Sequence, residues 1–348
     1  MTSETHIAAV GTYSAAETPG VYTVAIDSAT GSIDIRDEVD AGPDPTFVAS
    51  HPSDAVLYAA VREEDEGRIV AYDVDQETGS LTNIGTALSG VSSPCHCSVD
   101  ATGQFLFVAH YHGSAISMLP IDADGTIDDP TAVIDHHGSS VHDERQTEPH
   151  PHSITPGPDN RFVYVPDLGT DRIVTYEIDH EGQRLERCAE TETDPGAGPR
   201  HLAFGPDGTY LYVINELNST VTSYTRATDG SLDEHATVST LPDAFSGQNK
   251  TAEIAVHPSG RYLFASNRGQ DAIVTFAIAD GDLESVASSS SGGEWPRHFA
   301  VGPAGEFLFA ANRDSDDITA FWIDEETGSL IPAGKRASIP EPVCIQWL

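Results

Sequence analysis

Three side chains able to do chemistry interrupt a phrase that this 348-residue chain otherwise repeats: the imidazole of His152, the carboxylate of Glu216 and the guanidinium of Arg268. An imidazole and a carboxylate can exchange protons near neutral pH, and a guanidinium fork holds an anion. The phrase is clearest at Gly198-Pro-Arg-His-Leu-Ala-Phe-Gly-Pro-Asp-Gly-Thr-Tyr-Leu-Tyr-Val-Ile-Asn-Glu216. It reads as Pro-x-His, an apolar pair, Pro-Asp-Gly, an aromatic-apolar-aromatic run, then Asn and a charged residue. The outline returns from Trp295 to Arg313, and weaker copies begin at Pro45, Pro94, Pro151 and Thr251. Each alone could be a surface charge or an ion pair between repeats, so their convergence on one place is what matters.

The elements that must position them follow from the repeat. A near-fixed period of roughly fifty residues means an array of similar supersecondary units. Each unit is written in strand language: Arg161–Val165, Tyr210–Val213 and Tyr262–Ala265 are short and rich in aromatic and β-branched residues. Turns such as Pro206-Asp-Gly208 and Pro258-Ser-Gly260 precede most of them, and alternating third strands such as Ile273–Ile278 follow. Four antiparallel strands per repeat is a β-propeller blade. Six full repeats leave Ile7–Tyr13, Gly20–Ile26 and Pro342–Trp347 over. The expectation is an all-β, seven-bladed propeller, one domain over residues 1–348, with its last blade shared between the two chain ends so that no sheet edge is left open.

In such a blade the start of the first strand and the end of the second lie on the same face. First-strand starts give Thr46, Cys95, His152, Arg200, Ala252, Arg297 and Val343; second-strand ends give Tyr13, Arg62, Tyr111, Leu168, Glu216, Arg268 and Arg313. Five of the 15 arginines fall in these rings, so an anion-binding mouth is expected. His96, His201 and His298 recur at the next position, as do Asn215, Asn267 and Asn312 later, and recurrence reads as scaffold. The long segment from Asp135 to His152 enters a first strand and could lid the mouth, delivering Arg145, Gln146, His150 and His152. Its five histidines invite a metal reading, but no HExxH pair is present and Pro149 and Pro151 favour an extended segment. No metal or cofactor is expected.

Composition supplies the setting. Fifty-five Asp and Glu against 17 Lys and Arg give a net charge of −38, which disfavours nucleic acid and anionic membranes as partners. Only Lys250 and Lys335 are lysines, which with 15 arginines retained reads as salt adaptation. Four cysteines without metal-ligand spacing, no secretory signal and no run of transmembrane length suit a reduced, cytoplasmic, monomeric protein.

The run His136-His-Gly-Ser-Ser140, then Arg145-Gln146 and Pro149-His-Pro-His-Ser153, with Gly-Pro-Arg200-His, Asn-Glu216-Leu and Ser-Asn-Arg268-Gly, resembles the seven-bladed propeller lactonase family. That family includes bacterial-type 6-phosphogluconolactonases and fungal carboxy-cis,cis-muconate lactonizing enzymes. The resemblance spans nearly the whole chain and implies an active site built from His152, Arg200, Glu216 and Arg268. The family does not fix the substrate; with the arginines gathered at the mouth, the expectation is hydrolysis of a small anionic sugar lactone, 6-phosphoglucono-1,5-lactone first. Either Glu216 or His152 would be the base and the other the acid. Arg200 and Arg268 would bind an oxyanion, carboxylate or phosphate, with Arg297, Arg313 and Arg62 as further substrate contacts beside Arg145, Gln146 and His150. Ala252 and Cys95 depart from the pattern of charged mouth residues. A muconate-type cycloisomerase would need the same groups. A non-catalytic binding propeller would need aromatic rim patches, against which the 7% aromatic content counts. No Gly-x-Ser-x-Gly elbow points to a covalent route.

Overall fold

The computed structural model describes residues 5–13, 18–53, 55–63 and 66–348. Its strands form seven four-stranded antiparallel sheets, and no helix occurs among the described residues. Six blades are continuous in sequence, running Pro45–Leu88, Pro94–Asp135, Thr155–Glu192, Pro199–Ser239, Lys250–Ser290 and Pro296–Ser338. The seventh takes its innermost strand from Pro342–Trp347 and its outer three from Thr5–Thr12, Val21–Asp27 and Ile33–Val39. That closure is the expected one. Gly11 pairs with Cys344 across it, so the ring has no open edge.

The core lies between blades rather than within them. Tyr262 and Phe264 of the fifth blade pack with Phe299, Leu308 and Phe321 of the sixth, and each neighbouring pair repeats this arrangement. Alternation explains it. Second strands such as Phe105–His110 and Phe307–Asn312 are buried on both faces, whereas outermost strands such as Arg184–Glu192 alternate exposed and half-buried residues along most of their length.

Two local irregularities recur and aim the first-strand side chains. The residue before the opening proline has positive φ in five blades: Asp44, Ser93, Gly198, Trp295 and Glu341. The residue after that proline is then skipped in the ladder. Pro199 pairs with Asn215 and His201 with Ile214, leaving Arg200 as a bulge, and Thr46, Cys95, Arg297 and Val343 are bulged likewise. A bulge bends the strand and re-aims its side chain. In the third blade, where Pro149 and Pro151 cannot donate to a ladder, the inner pairing shrinks to Thr155–Pro156 and a bridge between Pro151 and Asp167.

Candidate active site

The two rings meet at one mouth. A pocket of about 390 Å³ there is lined by Arg62, Cys95, Tyr111, His112, Arg145, His152, Glu216, Lys250, Arg268, Trp295, Arg297 and Arg313. Seven of the ten residues expected at the site line it: His152, Glu216, Arg268, Arg297, Arg313, Arg62 and Arg145. Six cations face one carboxylate in a chain whose net charge is −38. The mouth is therefore locally positive.

Three expected residues stand behind the wall instead. Arg200, 2% exposed, gives Nη1 to the Ala252 carbonyl at 2.5 Å and brings Nε within 3.2 Å of Glu216 Oε2. From its bulged position on the first strand it supports the carboxylate from outside the pocket. Gln146 is fully buried, accepting the His142 N–H and donating to the Leu168 carbonyl, which ties the lid down. His150 spends Nδ1 on the Tyr111 carbonyl at 2.8 Å and stacks flat on the Tyr111 ring with centroids 4.1 Å apart.

Glu216 is the hub. Its Oε1 accepts from Arg145 Nη2 at 2.7 Å and its Oε2 from Arg268 Nη2 at 2.8 Å. Burial would raise this carboxyl, but Arg268, Arg200 and Arg145 hold it far below the usual carboxylate range. It is permanently anionic. Burial, then Arg268 and Arg297, push Arg200 down to about 9, which still leaves it charged at neutral pH.

His152 has the opposite character. It is 4% exposed, and its Nδ1 has no hydrogen-bond partner among the described residues. Burial first, then Arg200, His201 and Arg297, drive it well below the ordinary imidazole value. It is neutral at pH 7 and able to take a proton. Burial pushes the neighbouring Cys95 thiol up to about 11, so the pocket's one sulfur is not a thiolate nucleophile.

Two aromatic residues brace the remaining arginines. Arg62 and Arg297 lie over the Tyr13 ring at 5.4 and 4.9 Å, and Arg297 also donates to the Tyr13 hydroxyl. Arg268 and Arg313 lie over Trp295 at 5.5 and 5.4 Å. Sequence reasoning placed Tyr13 and Tyr111 at the mouth without giving them work, and missed Trp295 and Lys250. A tryptophan directly before a blade's opening proline, and one of only two lysines, were the available signals. Trp295 holds φ at 60°, a conformation that costs a bulky residue of order 1–3 kcal/mol.

The recurrent histidines bridge neighbouring blades. His96 Nδ1 accepts the Ile154 N–H and His298 Nδ1 the Ile345 N–H, each stapling one blade to the next. His201 and His298 both reach Glu253 Oε2, at 2.9 and 3.2 Å. Beside the mouth, donor atoms of His112, Glu148 and His150 lie within 4.8 Å of one another, a set with zinc-type ligand chemistry.

The site can thus hold an anion, stabilise charge developing on an oxygen, and accept a proton from water. A model of the family described as Lactonase, 7-bladed beta-propeller matches residues 7–347. A 6-phosphogluconolactonase of Bacillus subtilis is 34% identical over 99% of this chain and 98% of its own. One from Pectobacterium carotovorum is 33% identical over 92% of this chain and 93% of its own. The solved periplasmic gluconolactonase of Pseudomonas aeruginosa superposes with a TM-score of 0.93 at 29% identity, covering 99% of each chain. This chain belongs to the seven-bladed β-propeller lactonase family.

Proposed function

We propose that the protein hydrolyses an anionic sugar lactone, 6-phosphoglucono-1,5-lactone first, at the propeller mouth. The observation that carries this reading is a neutral, buried His152 facing a pocket of six cations and one permanently ionised carboxylate. The names of the most similar relatives support it.

The roles follow from the electrostatics. His152 accepts a proton from the attacking water. Arg268, braced by Trp295 and Glu216, stabilises the oxyanion of the tetrahedral intermediate. The imidazolium so formed is a strong acid, because Arg200 and Arg297 disfavour it. It returns the proton to the ring oxygen as the C–O bond breaks, which completes the addition of water. Both of Glu216's oxygens are engaged, so it acts as the counter-ion that orients Arg145 and Arg268 rather than as acid or base. Arg297, Arg313 and Arg62 give the mouth the positive field that steers the anionic substrate toward it. We further propose that the acidic surface suits a salt-rich cytoplasm.

The test is a lactone panel followed by base uptake at constant pH, with the uncatalysed rate subtracted and products analysed. Hydrolysis of 6-phosphogluconolactone well above background supports the reading. Cyclisation of a muconate with no lactone hydrolysis would replace it with the cycloisomerase. No turnover, with a protein partner bound at the rim, would replace it with a binding propeller.

A further inference from the structure

A second cavity adjoins the mouth and has no role in the chemistry above. It measures about 480 Å³, is lined by the uncharged polar Asn218, Ser219, Gln248 and Asn249, by Leu217 and Leu241 and by one exposed carboxylate, Glu144, and shares its two cations, Arg145 and Lys250, with the mouth. The two volumes meet at these shared residues, and each is in the size range of small-molecule sites.

Lys250 differs from every other cation in these two cavities. Arg145 and Arg268 are tied to Glu216, Arg313 pairs with Asp314 at 2.6 Å, and Arg62 lies 3.7 Å from Asp44. Arg297 is engaged by Tyr13. The Lys250 ammonium has no hydrogen bond or ion pair among the described residues. Its backbone, by contrast, is fixed. Lys250 pairs with Arg268 in the ladder and accepts from Arg268 Nε, while the preceding Asn249 donates to Ser219 and Asn267 and accepts the Gln270 N–H. A rigid base thus carries one uncommitted point charge at the junction of the two cavities. The chain otherwise uses arginine 15 times, and its other lysine, Lys335, is exposed on an outermost strand. Both cations bind phosphate, arginine as a planar fork and lysine as a compact point charge on a flexible stem, so a lysine can follow a phosphate at the end of a movable arm.

We infer that Lys250, with the adjoining cavity behind it, is the subsite for the terminal phosphate of the substrate and sets preference for phosphorylated over unphosphorylated lactones. This rests on the lactonase reading. The lactone ring then sits in the mouth against His152, and its exocyclic arm crosses between Arg145 and Lys250. The phosphate completes the one cavity-lining cation that has no hydrogen bond or ion pair among the described residues.

Lys250→Met is compared with wild type, with Lys250→Arg, and with Lys335→Met as a surface control. The measurements are kcat/KM on 6-phosphoglucono-1,5-lactone and on glucono-1,5-lactone, and calorimetric affinity for 6-phosphogluconate and gluconate. Lys250→Met should lose about 10- to 100-fold on the phosphorylated lactone, mostly through KM, and less than about threefold on gluconolactone. Lys250→Arg should keep most of the preference and Lys335→Met all of it. Equal losses on both lactones, or no loss, would overturn the assignment. If wild type hydrolyses neither lactone, the lactonase reading fails while calorimetry still decides this one. A wild-type preference for 6-phosphogluconate that disappears in Lys250→Met supports the subsite, and a preference that is absent or unchanged refutes it.

Discussion

At the scale of single residues, the site divides its two titratable groups by environment. Three guanidiniums force Glu216 to stay ionised, and burial among cations forces His152 to stay neutral. His152→Ala should therefore lower turnover by about 10²–10⁴-fold with little change in melting temperature, since its buried Nδ1 makes no hydrogen bond among the described residues. The acidic limb of kcat/KM should have its midpoint below 6.5, because protonating His152 removes the base and its folded pKa is depressed; a limb at or above 6.5 would assign it to another group. Glu216→Gln should behave differently. Removing the counter-ion leaves Arg145, Arg200 and Arg268 facing one another, so stability should fall by about 3–5 kcal/mol together with activity. Denaturant melts of the two variants side by side separate the roles.

At the scale of elements, the lid that carries His150 and His152 is anchored by the buried carboxylate of Asp167, beside the contacts of Gln146 with Leu168 and of Ser140 with Asp171. Asp167 accepts the N–H groups of His150, Gly169 and Thr170 and pairs with His136 Nδ1 at 2.7 Å. Asp167→Ala should release both ends of the lid, raising KM and costing about 3–5 kcal/mol, which chemical denaturation and initial rates would report. The strands were legible because Pro-Asp-Gly turns and period-two alternation are local signals, and the mouth was legible because topology puts strand starts and strand ends on one face. Arg200, Gln146 and His150 stand behind the wall rather than in it for one physical reason. A residue's place on a strand sets its face of the disc, but bulges and lid contacts set its depth, and these depend on partners far away in sequence. Trp295 and Lys250 stand just before the opening residue of a repeat, outside the strand-start and strand-end rings that topology puts at the mouth, so strand placement gave no sign of them.

At the scale of the whole molecule, the surface charge and the buried histidines pull in different directions on acidification. Dense carboxylates repel at low ionic strength, so the melting midpoint should rise from dilute buffer to molar chloride, where the Debye length falls to about 3 Å. Acid should not substitute for salt. His110 and His298 are lowered to about 4 by burial, and His96, His152 and His201 are driven well below their ordinary value. The unfolded chain takes up these protons near pH 6.5 and the folded one resists them. Their contribution is thus complete above 6.5 and lost as pH falls toward 4, by about 1.4 kcal/mol per pH unit for each histidine. Thermal melts at fixed high salt across this range would show the decline. The shared seventh blade carries a further consequence, for the route by which the chain folds. Six blades are built from hairpins whose partners are close in sequence, but Ala8 must find Trp347 and Gly11 must find Cys344. Closing so long a loop costs about 3 kcal/mol more than closing a ten-residue one. Ring closure is then the slow, final step of folding, reached from a six-bladed arc with two bare edges. A circular permutant that joins the present ends and opens the chain between two other blades would keep the mouth intact while moving that step elsewhere in the ring.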